Sequence, residues 1–321
     1  MSLLADVAEM YYLDNKNQAQ IARVVGVTRS MVSRMLSEAR EKGIVEIAIR
    51  RPLQPARDLE AALKDCFGLQ SAHVVTIAGP EDGHRLEYLG QLGAQVLRRY
   101  LAPEIVLGLA WGTTISATVD AVTSGDPVPL KVVQLVGAMG ARNTEYDAHR
   151  LVGRLAEKLG AEGYYLNAPF ICDSPATVQA LLRSPGVQDT VELGRATQVL
   201  LAGVGSTAPD YSSFYLAGYV PLEELQRLRG SGAVGDVCGL HFDVRGQDCQ
   251  DPLCDRLVTI HRRDLLRIPI RIGVAGGAGK VEPILGALRS GYINVLVTDN
   301  FTARRVLAQA HDNGAEQTQG R

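Results

Sequence analysis

No stretch of the 321-residue chain approaches the roughly 18 consecutive apolar residues that a membrane helix requires. The N-terminus also lacks a basic segment followed by a short apolar run, so no secretory signal is expected. Cysteines number five, odd and scattered, and make no disulfide framework for so long a chain. Internal repeats and low-complexity tracts are missing, and the net charge is only −2. These absences argue against a membrane-bound or disulfide-stapled protein and set the cytoplasm as the expected compartment.

What is present suits a soluble globular chain: 46% hydrophobic and 21% charged residues can build a substantial core, and the length fits two domains. The small net charge hides an asymmetry. Residues 1–51 carry eight Lys/Arg against six Asp/Glu, and the remainder carries 25 against 29. Between Asn15 and Ser37 four cations, Lys16, Arg23, Arg29 and Arg34, stand without any acid. A phosphate backbone responds to that local sign, which the mean conceals.

Three helical patterns fill the first 43 residues. Leu4, Val7, Ala8, Tyr11 and Tyr12 recur at helical spacing; a second helix spans 18–25 and turns at Gly26. A third begins at the N-cap Thr28, places Val32, Met35, Leu36 and Ala39 on one face, and ends at Gly43. Residues 44–49 read as a strand, the wing that often follows such a unit. The prolines of Arg50-Arg51-Pro52-Leu53-Gln54-Pro55 mark a linker. The predicted organisation is therefore residues 1–51, a linker at 52–55, and a larger domain over 56–321. In that larger domain strands alternate with helices, the pattern of a mostly parallel α/β sheet. Strands are expected at 73–77, 105–109, 132–136, 163–166, 199–202, 237–242, 270–274 and 294–297. Helices are expected at 56–67, 84–101, 114–123, 145–159, 175–193, 280–289 and 300–310, with the polar last ten residues fraying. Several strands are continuous apolar runs, as burial on both faces demands.

The segment Gln20 to Leu36 reads as a helix-turn-helix, with Ile21, Ala22, Val25, Val27, Val32 and Leu36 as the buried positions that fix the angle between its helices. The second helix sets Arg29, Ser30, Ser33, Arg34 and Ser37 opposite its apolar stripe. Arginine can bond guanine bidentately, and short hydroxyls reach base edges or phosphates, so this face suits a major groove. Gln20, Thr28, Arg29, Ser30, Ser33 and Arg34 are the candidate contacts to operator DNA. A merely solvated helical face is the bland alternative, and the acid-free run, the hydroxyls and the glycine turn weigh against it.

From Gln20 to Ile49 the sequence resembles the SorC/DeoR-type sugar-binding transcriptional regulators. The resemblance continues in Gly108-Leu109-Ala110-Trp111-Gly112-Thr113-Thr114, Gln134-Leu135-Val136-Gly137, Asn167-Ala168-Pro169 and Gly235-Asp236-Val237-Cys238-Gly239. It closes in Gly276-Gly277-Ala278-Gly279-Lys280 and Asn294-Val295-Leu296-Val297-Thr298-Asp299, covering nearly the whole chain in order. The resemblance implies a winged helix-turn-helix followed by a sugar-phosphate-isomerase-like effector domain, a homo-oligomer (dimer or tetramer) and a sugar or sugar-phosphate effector. Val136-Gly137-Ala138 departs from the glycine pair common in that family.

Ligands of open α/β sheets sit outside the carboxyl ends of strands, beside helix N-termini. Gly112, Thr113 and Thr114 follow one strand and open a helix; Gly205 and Ser206 follow another. Both can cradle an anion, and both can be ordinary turns. Asp236 and Asp243 flank a strand, where acids accept from sugar hydroxyls or simply form turns. The glycine run before Lys280 fails as a nucleotide P-loop, because Val274 and Val281 stand where glycine and Ser/Thr are required. Lys280 at a helix start still suits a sugar phosphate, a role the resemblance also implies. No catalytic set, cofactor or metal site is expected. Cys238, His241, Cys249 and Cys254 miss zinc spacings, and a strand over 237–242 would point Cys238 and His241 to opposite faces. His73, His84, His149, His261 and His311 are isolated. The alternative function is a sugar-phosphate isomerase or deaminase-like enzyme with an accessory N-terminal domain. Such an enzyme has no need for the basic segment at 16–37.

Overall fold

The computed structural model describes residues 2–45, 52–125, 127–140 and 146–318. The chain divides into two compact units, Met1–Pro52 and Leu53–Arg321. In the first unit, helices α1 (Ser2–Tyr12), α2 (Gln18–Val25) and α3 (Arg29–Glu41) surround a small core of Val7, Ala8, Ile21, Ala22, Val32, Leu36 and Ala39. Local chemistry sets the boundaries. Asn17 and Gln20 form a reciprocal capping box at the start of α2, and Gly26 ends it in the left-handed region at φ 75°. Thr28 caps α3 by accepting from Met31 N. Ile44 and Val45 form a bend; the rest of the expected wing lies outside the described residues.

The second unit is a seven-stranded parallel sheet covered on both faces. In chain order its elements are α4 (Arg57–Phe67), β1 (Ser71–Val75), α5 (Arg85–Arg98), β2 (Val106–Leu109), α6 (Thr113–Ala121), β3 (Lys131–Gln134), α7 (Ala148–Leu159) and β4 (Glu162–Tyr164). Then follow α8 (Pro175–Leu182), α9 (Pro185–Arg195), β5 (Val199–Gly203), α10 (Ser213–Leu216), α11 (Leu222–Gly230), β6 (Gly235–Val237) and β7 (Leu240–Phe242). The last are α12 (Arg262–Leu265), β8 (Ile270–Val274), α13 (Val281–Arg289), β9 (Val295–Asp299) and α14 (Asn300–Thr318). The apolar strands divide their side chains by parity. Leu107, Leu109, Val199 and Leu201 enter one core with α5, α6 and α7; Val106, Leu200, Ala202 and Leu296 enter the other with α4, α11, α13 and α14.

Strand order is β1-β9-β8-β5-β2-β3-β4. From β2 the chain winds outward through β3 and β4, then returns to β5 on the other side of β2 and winds outward again. The reversal between β2 and β5 leaves a crevice at their carboxyl ends, where ligands of such sheets bind.

Three expectations need correction. The strand read at 237–242 is the antiparallel hairpin β6–β7, turning at Cys238 (φ 55°) and Gly239 (φ 77°). The helix read at 175–193 is two helices, because Pro185 starts a new one after Ser184. The final helix continues to Thr318 rather than ending near residue 310. Short helices α10, α11 and α12 carried too little periodicity to be seen.

Candidate effector cleft and nucleic-acid interface

The cleft at the β2/β5 reversal is lined by the turns after β2, β5 and β8 and by the β6–β7 hairpin. It brings together Gly112, Thr113, Thr114, Gly205, Ser206, Asp236 and Lys280, seven of the eight predicted effector residues. The cleft encloses about 50 Å³. An adjoining chamber of about 180 Å³ shares Trp111, Gly112, Thr113 and Ser213 with it.

Each wall is fastened by hydrogen bonds. Thr114 Oγ1 donates to Val274 O at 2.8 Å, tying the start of α6 to the end of β8. Gly205 N donates to Asp236 O at 2.8 Å, and Thr207 N to Val234 O at 3.1 Å, stitching the β5 turn to β6. Gly277 N donates to Thr302 Oγ1, which in turn donates to the fully buried carboxylate of Asp299 at 2.7 Å; Arg85 lies 3.3 Å from that carboxylate. The β8 turn thus rests on a neutralised anchor. Gly205 packs so close to Asp236 that a Cβ there would collide with the carboxylate.

Among the described residues two charged groups line the cleft. Asp236 is 7% exposed, and its Oδ2 accepts from Gly239 N at 2.9 Å. Lys280 Nζ donates to Val204 O at 2.8 Å. Burial lowers its pKa to about 8, with Asp236 pulling the other way. An ammonium held in partial desolvation binds an incoming anion more strongly than a solvated one. Thr113 is exposed at the first turn of α6, beside the amides that a helix N-terminus leaves free.

Sequence reasoning missed the apolar wall. Trp111 packs edge-on against Phe214 (5.5 Å between ring centroids) and Phe170 (6.0 Å), and Phe214 lies 5.6 Å from His241. Trp111 stood inside a quoted motif, but its neighbours come from distant elements and shared no sequence signal. His241 is buried, and among the described residues its Nε2 has no hydrogen-bond partner; burial lowers its pKa and keeps the ring neutral.

Asp243 leaves the candidate set. Its Oδ1 accepts from Arg245 N (2.9 Å) and Gln247 N (2.8 Å), which makes it the turn former after β7 and places no part of it in the cleft. Because 237–242 is a hairpin, Cys238 and His241 do not alternate along one strand as expected. Cys254 Sγ lies 3.7 Å from His241 Nδ1, and among the described residues no three His, Cys, Asp or Glu side chains gather as a metal site.

In the first unit Arg29, Ser30, Ser33 and Arg34 are exposed on α3. Thr28 Oγ1 is engaged as the cap and lies 3.0 Å from Ser30 Oγ. Gln20 Oε1 accepts from Asn17 N at 2.9 Å, a local structural bond that leaves its amide nitrogen as the free end.

A helix-turn-helix unit followed by a doubly wound sheet with a strand-end cleft defines the class of ligand-responsive regulators. The family described as "Putative sugar-binding domain" matches residues 51–308. The chain is 30% identical over 305 residues to the deoxyribonucleoside regulator of Bacillus subtilis (strain 168), covering 95% of this chain and 97% of that one. It is 31% identical over 307 residues to the sorbitol operon regulator of Klebsiella pneumoniae, covering 95% and 97%. The crystal structure of full-length SorC from Klebsiella pneumoniae superposes with a TM-score of 0.72 at 30% identity, covering 95% of this chain and 98% of that one. The chain belongs to the SorC/DeoR-type sugar-binding transcriptional regulators. No helix among the described residues is long and apolar enough to cross a membrane.

Proposed function

We propose that the protein is a cytoplasmic transcription regulator whose α3 reads operator DNA and whose strand-end cleft binds a sugar or sugar phosphate. The observation that carries the reading is the cleft itself: one lysine, a free helix start and one carboxylate converge at the sheet's reversal point. In this reading the narrow cleft takes the anionic group against Lys280 and the first turn of α6. Asp236 accepts from sugar hydroxyls, and Trp111 covers an apolar face of the ring. A homo-oligomer presents two or more α3 helices to a repeated or palindromic operator. Effector binding shifts the population between DNA-competent and DNA-incompetent arrangements.

The isomerase or deaminase alternative is disfavoured by the cleft's contents. Proton transfer at a sugar carbon requires a free base, commonly with a second acid or base. Among the described residues the single lining carboxylate is held by the Gly239 amide, and no second carboxylate lines the cleft.

The test is a thermal-shift screen of the full chain against phosphosugars and free sugars, followed by gel shifts with the stabilising compound. A ligand specific to the native state raises Tm by mass action and is expected to change operator affinity. A compound that raises Tm but is turned over by the protein would favour the enzyme.

A further inference from the structure

A second cavity, of about 550 Å³, lies over the carboxyl end of β3 and shares no lining residue with the effector cleft. Its floor is apolar: Leu135, Leu166, Leu182, Val191 and Ile260. Three polar side chains of its wall, Gln134, Thr190 and Thr259, are already engaged. Gln134 Nε2 donates to Val136 O (2.8 Å) while its Oε1 accepts from Leu166 N (3.3 Å). Thr190 Oγ1 donates to Tyr165 O (3.1 Å), and Thr259 Oγ1 donates to Cys238 O. These three side chains bond within the protein, and the wall around them offers an occupant mainly apolar surface.

The rim is different. Among the described residues Arg195, Arg263 and Arg267 surround it together with His261 and one acid, Asp264. That carboxylate is shared at long range by Arg195 Nε (3.5 Å) and Arg267 Nη1 (3.8 Å), and Arg263 has no ion pair among the described residues. A net positive rim of guanidinium forks selects a carboxylate or phosphate head. The volume falls within the range of small-molecule sites, roughly 300–1,000 Å³. We propose that this cavity is a second ligand site, taking a small organic anion with an apolar body, such as an aryl carboxylate or aryl phosphate. The proposal is independent of what the strand-end cleft binds.

The test titrates the full chain by calorimetry with 3-phenylpropionate and phenyl phosphate, against inorganic phosphate and neutral 3-phenylpropanol. At least one aryl anion is expected to bind once per chain, at least about tenfold tighter than either control, as loss of the head or the body should cost. The two anions distinguish a carboxylate from a phosphate preference. Arg267→Glu, on an exposed side chain, is expected to weaken that binding by about tenfold or more by placing like charge at the rim. Lys280→Ala is expected to leave it unchanged, and Val191→Trp to abolish it by filling the floor. Equal binding of aryl anions and controls, or wild-type affinity in Arg267→Glu, overturns the proposal. Loss in Lys280→Ala with retention in Arg267→Glu overturns it by moving the probe to the effector cleft. Absence of probe binding, with a sedimentation mass that falls only in Arg267→Glu, assigns the cavity to a second copy and also overturns it.

Discussion

At the residue scale, Lys280 carries the most specific consequence. Its pKa is lowered to about 8 in the free protein, from 10.5. The unfolded chain therefore holds this proton more tightly, and the lysine contributes rising stability as pH climbs from about 8 toward 10.5. A bound anion reverses the shift, so binding takes up a proton near pH 8 and affinity falls as pH rises through that value. Calorimetry in buffers of different ionisation enthalpy is expected to show the uptake in the wild type and none in Lys280→Met. Gly205 makes a steric prediction. Alanine there meets the Asp236 carboxylate, and overpacking of this kind costs about 1–3 kcal/mol. Urea titration is expected to show that loss, with effector affinity falling alongside because Asp236 must move. Arg34 is exposed, so Arg34→Ala is expected to leave the urea midpoint unchanged and weaken operator binding by about 1–3 kcal/mol if it bonds a base edge. Unchanged affinity in a gel shift would remove it from the interface.

At the scale of elements, the sequence signalled most clearly where chain chemistry is local. Asn17, Gly26 and Thr28 bound the helix-turn-helix because a cap is decided within three residues. The two-faced strands were legible because parity hides nothing when both faces are apolar. Legibility failed where partners come from afar. The β6–β7 hairpin looked like one strand because Cys238 takes a left-handed conformation that cysteine rarely adopts. Asp236 and Asp243 looked equivalent as strand-end acids, and only tertiary placement separates a cleft carboxylate from a turn former. The caps are also testable. Thr28→Ala removes the acceptor for Met31 N and is expected to cost about 1 kcal/mol. Thr28→Ser restores the cap. If operator affinity recovers with stability in the serine variant, Thr28 acts by holding α3; if stability recovers and affinity does not, its methyl touches DNA.

At the scale of the whole molecule, each unit has a core of its own: none of the buried residues around Val32 and Leu36 belongs to the clusters of the α/β unit. The sequence marked this division by the prolines near residue 52, and in the proposed function the division separates sensing from reading. It does not supply affinity. One copy brings four cations to the acid-free segment, and Lys16 is already paired with Asp14 at 2.8 Å. Beyond that segment Lys42 is paired with Glu38 at 2.6 Å. Each neutralised phosphate contributes roughly 0.9 to the slope of log affinity against log salt, so four contacts give at most about 3.6. A regulator that reads DNA as an oligomer must exceed this, because each further copy adds its own Arg23, Arg29 and Arg34. The expected slope for operator binding by the full chain, measured by fluorescence anisotropy over a salt series, is therefore steeper than −4. A slope shallower than about −3.6 would mean that one copy at a time engages the operator, and the proposed oligomeric reading of DNA would fail.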